Sequence, residues 1–348
     1  MKKAFRSVCN LILLGIITLS LCGCEIKGKE IVFTTGFAGN EVFKINDLSC
    51  TESEVLVYLT NIQKAYEKVY GSDIWESEHD GVKLDESLKE SVLAKIARIK
   101  SMYLLSVDKG IELTGAEQEK VKSAAKEYYG SLSKKERNLL GVNEESIIGM
   151  YTEYALADKV YRTLIADINP EISDDEARTI TVQVIFIASD NSGTDDQDKT
   201  SYGQRKAYNK AMEVYRLATE EGADFATLAA QYSEDENLIY SLGQEYIEDD
   251  GYLAAFDLSN GEISKVSECL DGYRIFKCIS AFDREETELN KEKIIEKRRR
   301  EAFSEEYDVY VETLRKQFNE ELWKNIKLIR DEEVDTSDFF EIIDKAIS

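Results

Sequence analysis

Gly222-Ala223-Asp224-Phe225-Ala226-Thr227-Leu228-Ala229 and Gln231-Tyr232-Ser233-Glu234-Asp235 open the stretch that decides the fold, and Asp271-Gly272-Tyr273-Arg274-Ile275-Phe276 closes it. Phe225, Leu228, Ala229 and Tyr232 recur at helical spacing, which predicts one short amphipathic helix. Asp271-Gly272 between Val266–Cys269 and Tyr273–Ile279 is hairpin chemistry, because glycine takes the positive φ that a tight turn requires. Upstream, Thr179 to Ile187 is β-branched and apolar on both faces, as a strand in the middle of a sheet would be. Tyr202 to Glu220 reads as a helix with Ala207, Ala211, Val214, Tyr215 and Ala218 inward. Strand, two helices, a variable segment and a closing hairpin make a small α+β domain.

Between those ends lie Ala254-Ala255-Phe256-Asp257-Leu258 and Asn260-Gly261-Glu262-Ile263-Ser264. Taken in this order the pieces resemble the parvulin type of peptidyl-prolyl isomerase domain. The resemblance implies catalysed rotation of the bond before proline, whose unaided barrier is roughly 20 kcal/mol. In that family two histidines on adjacent central strands face a Cys or Asp near a Ser or Thr, with Met and Phe around the proline ring. Here Val184 stands at the first histidine position and Arg274 at the second. Asp235 fills the Cys or Asp position and is the candidate catalytic residue; Phe256, Tyr252 and Arg274 are the candidate substrate-binding residues. Cys269 and Asp271 hold the places of the hydroxyl residues, Gly251 that of a pocket Phe, and Ser241-Leu242-Gly243 is what remains of the substrate-wall loop. An arginine is always charged and cannot serve as a neutral imidazole. Two accounts stay open: a salt bridge from Arg274 to Asp235 or Asp271 plugs the site, or a prolyl groove survives between them, lined by Phe256 and Tyr252.

Lys2, Lys3 and Arg6 precede an apolar run from Leu11 to Leu21, too short to span a bilayer and consistent with a signal peptide. It ends in Leu21-Cys22-Gly23-Cys24, which resembles a lipobox. That resemblance implies lipidation at Cys24 and anchoring outside the cytoplasmic membrane. With 68 acidic against 44 basic residues the chain repels nucleic acid and anionic headgroups. One histidine, His79, lies in a polar stretch, which excludes Ser-His-Asp and Cys-His chemistry; neither a metal site nor a cofactor is expected. Cys50, Cys269 and Cys278 read as small buried fillers rather than a disulfide framework.

Ahead of the parvulin-like stretch, Ile31-Val32-Phe33 is apolar and Val42 to Asp47 reads as a strand with a turn. Capping boxes at Thr51–Glu54 and Thr114–Glu117, and stripes such as Val55, Leu59, Ile62, Tyr66 and Val69, predict four helices, the last over Glu144 to Ile168. A third box, Ser173 to Glu176, predicts a short helical turn. Beyond it, Glu286 to Asn319 reads as a long helix and Leu322 to Leu328 as a strand; a short helix or a disordered end covers Phe339 to Ile343. The arrangement resembles PrsA-type and SurA-like foldases and implies a mainly helical lobe, built from both chain ends, with an inserted α+β domain. The expected divisions are a leader at 1–23, helical lobe at 24–172, parvulin-like domain at 173–284, returning helix and strand at 285–330, and acidic tail at 331–348. The implied function is an extracytoplasmic, membrane-anchored foldase for unfolded or emerging secreted polypeptides, with isomerase activity left open. The alternatives are a holdase with a purely structural parvulin-like domain and a solute-binding lipoprotein.

Overall fold

A computed structural model describes residues 36–79, 81–189, 197–243 and 250–348, without the side chains of 197–201 and 250. The leader, Cys24 and Ile31-Val32-Phe33 lie outside the described residues. The chain forms two compact units, Met1–Ile168 with Glu301–Ser348, and Asn169–Arg300. The second is therefore inserted in sequence between the two parts of the first.

In the first unit, β1 (Glu41–Ile45) and β2 (Leu48–Thr51) pair around Asn46, which sits at φ 53, a left-handed conformation that Asn tolerates. α1 (Glu52–Tyr70) starts on a complete capping box, Thr51 with Glu54. A 3₁₀ turn, Ser72–Glu76, seats Trp75, and the small hairpin β3 (Glu78–His79) and β4 (Val82–Lys83) leaves His79 exposed. α2 (Leu84–Asp108), α3 (Gly115–Ser131), α4 (Lys134–Leu140) and α5 (Glu144–Ile165) follow. The short α4 makes one helix more than the stripes predict; its signal was the box Ser133 to Glu136, followed by Gly141 at φ 64. Val69, the end of the predicted α1 stripe, is 65% exposed because it lies in the helix's last turn. Tyr58, Tyr128 and Tyr151 are core residues, as tyrosines at helical spacing usually are.

The C-terminal return departs from its reading. The long helix ends earlier, and β9 (Lys316–Phe318) pairs with β1, giving the sheet order β2-β1-β9. Leu322 to Leu328 is not a strand, since Asn319 accepts from Leu322 N and caps a short helix over Glu320–Asn325, which turns Ile326 into the core. Phe339–Ile347 is a helix, with Phe339 and Ile343 fully buried.

In the second unit, β5 (Ile180–Ala188) and β8 (Gly272–Ser280) form the centre of an antiparallel sheet of order β6-β5-β8-β7. β6 is Ile239–Leu242 and β7 Ser267–Cys269. Ile185, Ile187, Tyr273 and Ile275 face α6 (Gln197–Ala218) and α7 (Phe225–Tyr232). Asp224 caps α7 through Ala226 N. Val182, Val184, Phe276 and Cys278 face the other way, onto Leu242 and the end of α8 (Asp250–Phe256). Of the Ser173 box only the bond from Glu176 N to Ser173 Oγ forms, and the segment makes a turn. α9 (Arg284–Thr313) leaves this unit pinned by Thr179 N donating to Thr287 Oγ1 and Asn290 Nδ2 donating to Ala177 O.

Candidate functional site

Side chains alternate along a strand, so Val184 and Phe186 on β5 share a face with Arg274 and Phe276 on β8. The register confirms it: Val184 lies opposite Phe276, and Phe186 opposite Arg274. Val184 and Arg274, the positions expected to correspond to the family's histidines, therefore lie on adjacent strands and on one face. Their occupants do something else. Val184 is fully buried against Phe276, Phe256 and Leu242 and is part of the hydrophobic core.

Arg274 donates to both carboxylate oxygens of Asp271, at 2.6 and 2.9 Å, a bidentate pair that fixes the plane of the guanidinium. One ring lies 4.2 Å from that plane's centre, Phe186, and a second at 5.2 Å, Tyr252. Cation–π contacts of this kind contribute about 0.5–2 kcal/mol each. The arginine side chain retains only 9% of its exposure while Asp271 keeps 58%. Burial opposes the charge, yet the bonds to Asp271 and Cys269 outweigh it and hold the guanidinium above its ordinary pKa. Asp271 is held below the usual carboxylate range by the same bond.

Asp235, at the end of the segment after α7, accepts from the Tyr240 hydroxyl at 2.5 Å and from Asn237 N at 3.2 Å. Burial, then the bond to Asp235, push Tyr240 up to about 12, so the phenol remains a donor at neutral pH. Phe256 is 9% exposed at the end of α8, its carbonyl accepting from Arg178. Tyr252 packs 5.6 Å from Phe276, ring to ring. Of the predicted residues, Arg274 and Tyr252 are brought together, and Phe256 and Tyr252 border the same apolar layer. The ion pair of Arg274 is with Asp271, the second of the two partners foreseen, while Asp235 turns to Tyr240.

Sequence reasoning missed Phe186 and Tyr240. Alternation from Val184 would have placed Phe186 beside Arg274. Tyr240 was passed over because Ser241-Leu242-Gly243 was read as a shortened loop; Ile239 to Leu242 is instead the edge strand β6, registered on Ile180 to Gln183. Cys269 is half-buried rather than a buried filler, and Cys50, Cys269 and Cys278 are all free thiols. Among the described residues no group of His, Cys, Asp and Glu could hold a metal ion.

Residues 185–280, from within β5 to the end of β8, match the family model of the rotamase, PPIC-type PPIASE domain. The match thus falls within the unit Asn169–Arg300, whose sequence interrupts the mainly helical unit. More particularly, the chain is similar to a curated foldase: it is 25% identical over 287 residues to the foldase protein PrsA of Caldanaerobacter subterraneus subsp. tengcongensis, covering 78% of this chain and 82% of that one. Among solved structures, the PrsA peptidylprolyl isomerase of Bacillus cereus is 18% identical, covering 90% of this chain and 98% of that one with a TM-score of 0.37. One of two structurally related SurA-like chaperones of Campylobacter jejuni is 10% identical, covering 80% and 99%, with a TM-score of 0.27. No helix among the described residues is long and apolar enough to cross a membrane.

Proposed function

We propose that this protein is an extracytoplasmic foldase that holds non-native secreted polypeptides, with a parvulin-type domain that serves as a scaffold rather than as a prolyl isomerase. The observation that carries this is Arg274, locked to Asp271 and stacked between Phe186 and Tyr252 where a neutral histidine would stand. Isomerisation requires a surface that favours the twisted amide over the planar one. A permanently charged guanidinium paired with Asp271, on the same sheet face as the apolar Val184, offers no such preference for an uncharged prolyl bond. Lipidation at Cys24 would hold the protein at the membrane, because several acyl chains on one residue bind far better than one.

The test is a protease-coupled prolyl isomerisation assay on the chain from Glu25 onward, run beside light scattering of a reduced, aggregating client. Suppressed aggregation with no acceleration of isomerisation is expected. Acceleration that disappears in Asp235→Ala would sink the scaffold reading in favour of an isomerase built on the bonded pair Asp235 and Tyr240, the second reading this site supports.

A further inference from the structure

The stretch from Ile329 to Phe339 of the first unit is held through its main chain as well as its side chains, the Thr336 hydroxyl lying 3.3 Å from Asn61 Oδ1 and 3.1 Å from the Tyr128 hydroxyl. Gln63, on α1, accepts from Ile329 N at 3.1 Å and donates to Ile329 O at 2.9 Å. One Glu136 oxygen, on α4, accepts from both Asp335 N and Thr336 N at 3.0 Å. Asn61 Oδ1 accepts from Phe339 N at 3.1 Å, and the Tyr151 hydroxyl donates to Phe339 O at 2.6 Å. Such contacts read a backbone and are indifferent to most side chains. A deep aromatic anchor accompanies them, with Val334 also buried: the Phe339 ring lies among Tyr58, Tyr128 and Tyr151, with centroids 5.1, 5.1 and 4.6 Å away. Lys135 meets Asp331 and Glu333 at 2.8 and 2.9 Å, and Lys68 meets Asp335 at 3.3 Å, so the approach to the anchor is basic where the tail is acidic.

We propose that this surface, contributed by α1, α3, α4 and α5, is a peptide-binding groove occupied by the chain's own tail. Its exchange partner is an extended segment of a non-native polypeptide carrying one aromatic anchor. The proposal rests on the client-binding reading above and assigns that reading a place. Several features of the groove fit an exchangeable occupant. The side chains that hold it are polar and buried, and once vacated they need replacement donors and acceptors that any polypeptide backbone supplies. Proline at the position of Thr336 or Phe339 would bring no N–H for Glu136 or Asn61, so the groove selects against proline there.

The test uses the chain from Glu25 onward, its Phe339→Ala variant, and a chain ending at Arg330. The probes are a labelled synthetic peptide of residues 331–348 and reduced, carboxymethylated α-lactalbumin. The chain ending at Arg330 is expected to bind the peptide saturably, with the peptide's own Phe339→Ala form binding about tenfold more weakly. Phe339→Ala in the full chain, which raises the vacant fraction of the groove, is expected to tighten α-lactalbumin binding about tenfold, with the free peptide competing. A parent chain that binds α-lactalbumin, with no gain in Phe339→Ala, overturns the groove and leaves the client reading standing. Failure of every form to bind α-lactalbumin overturns the client reading and the groove with it. A Phe339→Ala chain that loses its helical circular dichroism also overturns the groove, since the tail would then be an obligatory part of the core.

Discussion

Lys100 in the helical unit and Arg274 in the other are both kept largely out of water, and the two cations are handled differently. In the helical unit Lys100 retains 1% of its exposure and lies 2.8 Å from both Glu54 and Glu153. Glu54 also closes the capping box of α1 through Thr51 N, so the cation ties α1, α2 and α5 together from inside. In the parvulin-type unit Arg274 meets a single, largely exposed carboxylate and two aromatic faces at the rim of a sheet. The first arrangement is enclosed on every side and cannot be rehydrated without opening the lobe. The second completes a surface. A buried charge is dangerous to a fold in proportion to how little water can reach it once its partner is gone, and that sets the order of the effects below.

Lys100→Met gives the largest. It leaves Glu54 and Glu153 facing each other without a cation, and breaking a buried pair in this way costs about 3–5 kcal/mol. Burial already raises Glu153 above the usual carboxylate range, and loss of the Lys100 cation raises it further. Urea unfolding followed by circular dichroism measures the loss; a change under about 1 kcal/mol would show that the triad is wetter than its geometry.

Gly272→Ala comes next. A Cβ there would stand 2.2 Å from Ile187 O and 2.8 Å from Ser189 N, and the residue sits at φ +155. Both obstacles are backbone of the neighbouring strand, so the end of the β5–β8 ladder must open, at about 1–3 kcal/mol. Gly141→Ala in the helical unit is the control: its φ is +64, but its Cβ meets chiefly the Ser53 hydroxyl, which can rotate away. That variant should lose about 1–2 kcal/mol, for the left-handed backbone alone. Hydrogen exchange along β8 should accelerate in Gly272→Ala and stay unchanged in Gly141→Ala.

Arg274→Met is smaller still, about 1 kcal/mol or less, because Asp271 turns to water when its partner leaves. The methionine keeps the apolar contact with Phe186 and Tyr252. A loss as large as that of Lys100→Met would abolish the distinction drawn between the two units.

What was legible in the sequence followed the strength of the local signal. Thr51 with Glu54 and Thr114 with Glu117 announced helix starts because a hydroxyl and a carboxylate three residues apart satisfy amides that need no distant partner. Asp271-Gly272 announced the hairpin for a similar reason, and the β-branched run of β5, apolar on both faces, announced a central strand; the pairing of Val184 with Arg274 was implied by the resemblance alone. The partner of Arg274 was narrowed to two carboxylates and no further, since which of them it meets depends on where the turn aims its plane. Tyr240 was illegible because an edge strand of four residues carries too few positions to show a period. The tail stayed open between a short helix and a disordered end because much of what buries Phe339 lies far upstream, as its bond to Tyr151 shows. Terminal acidity reads as disorder until the cations that meet it are known to be Lys68 and Lys135.

The smallest effect is a titration, and it separates the units by the depth of their carboxylates. Glu41, at the start of β1, is held down to about 2 by bonds from Lys44, Ser49 Oγ at 2.6 Å and Ala38 N at 2.5 Å. A carboxylate of about 4.3 in the unfolded chain and lower in the folded one takes up protons on unfolding. Its contribution is therefore complete above about pH 4.3 and is lost as pH falls through about 2. Glu41→Gln should be less stable than the parent at pH 7 and equal to it near pH 2, with a flatter acid limb in a series of urea titrations. Asp271→Asn in the other unit removes a carboxylate also depressed by its cation, so its deficit should likewise fade as pH drops below about 3.9. Since Asp271 is the more exposed of the two, salt should erase its deficit at pH 7 and leave most of that of Glu41→Gln. Equal salt sensitivity in the two variants would mean that both ion pairs are surface pairs.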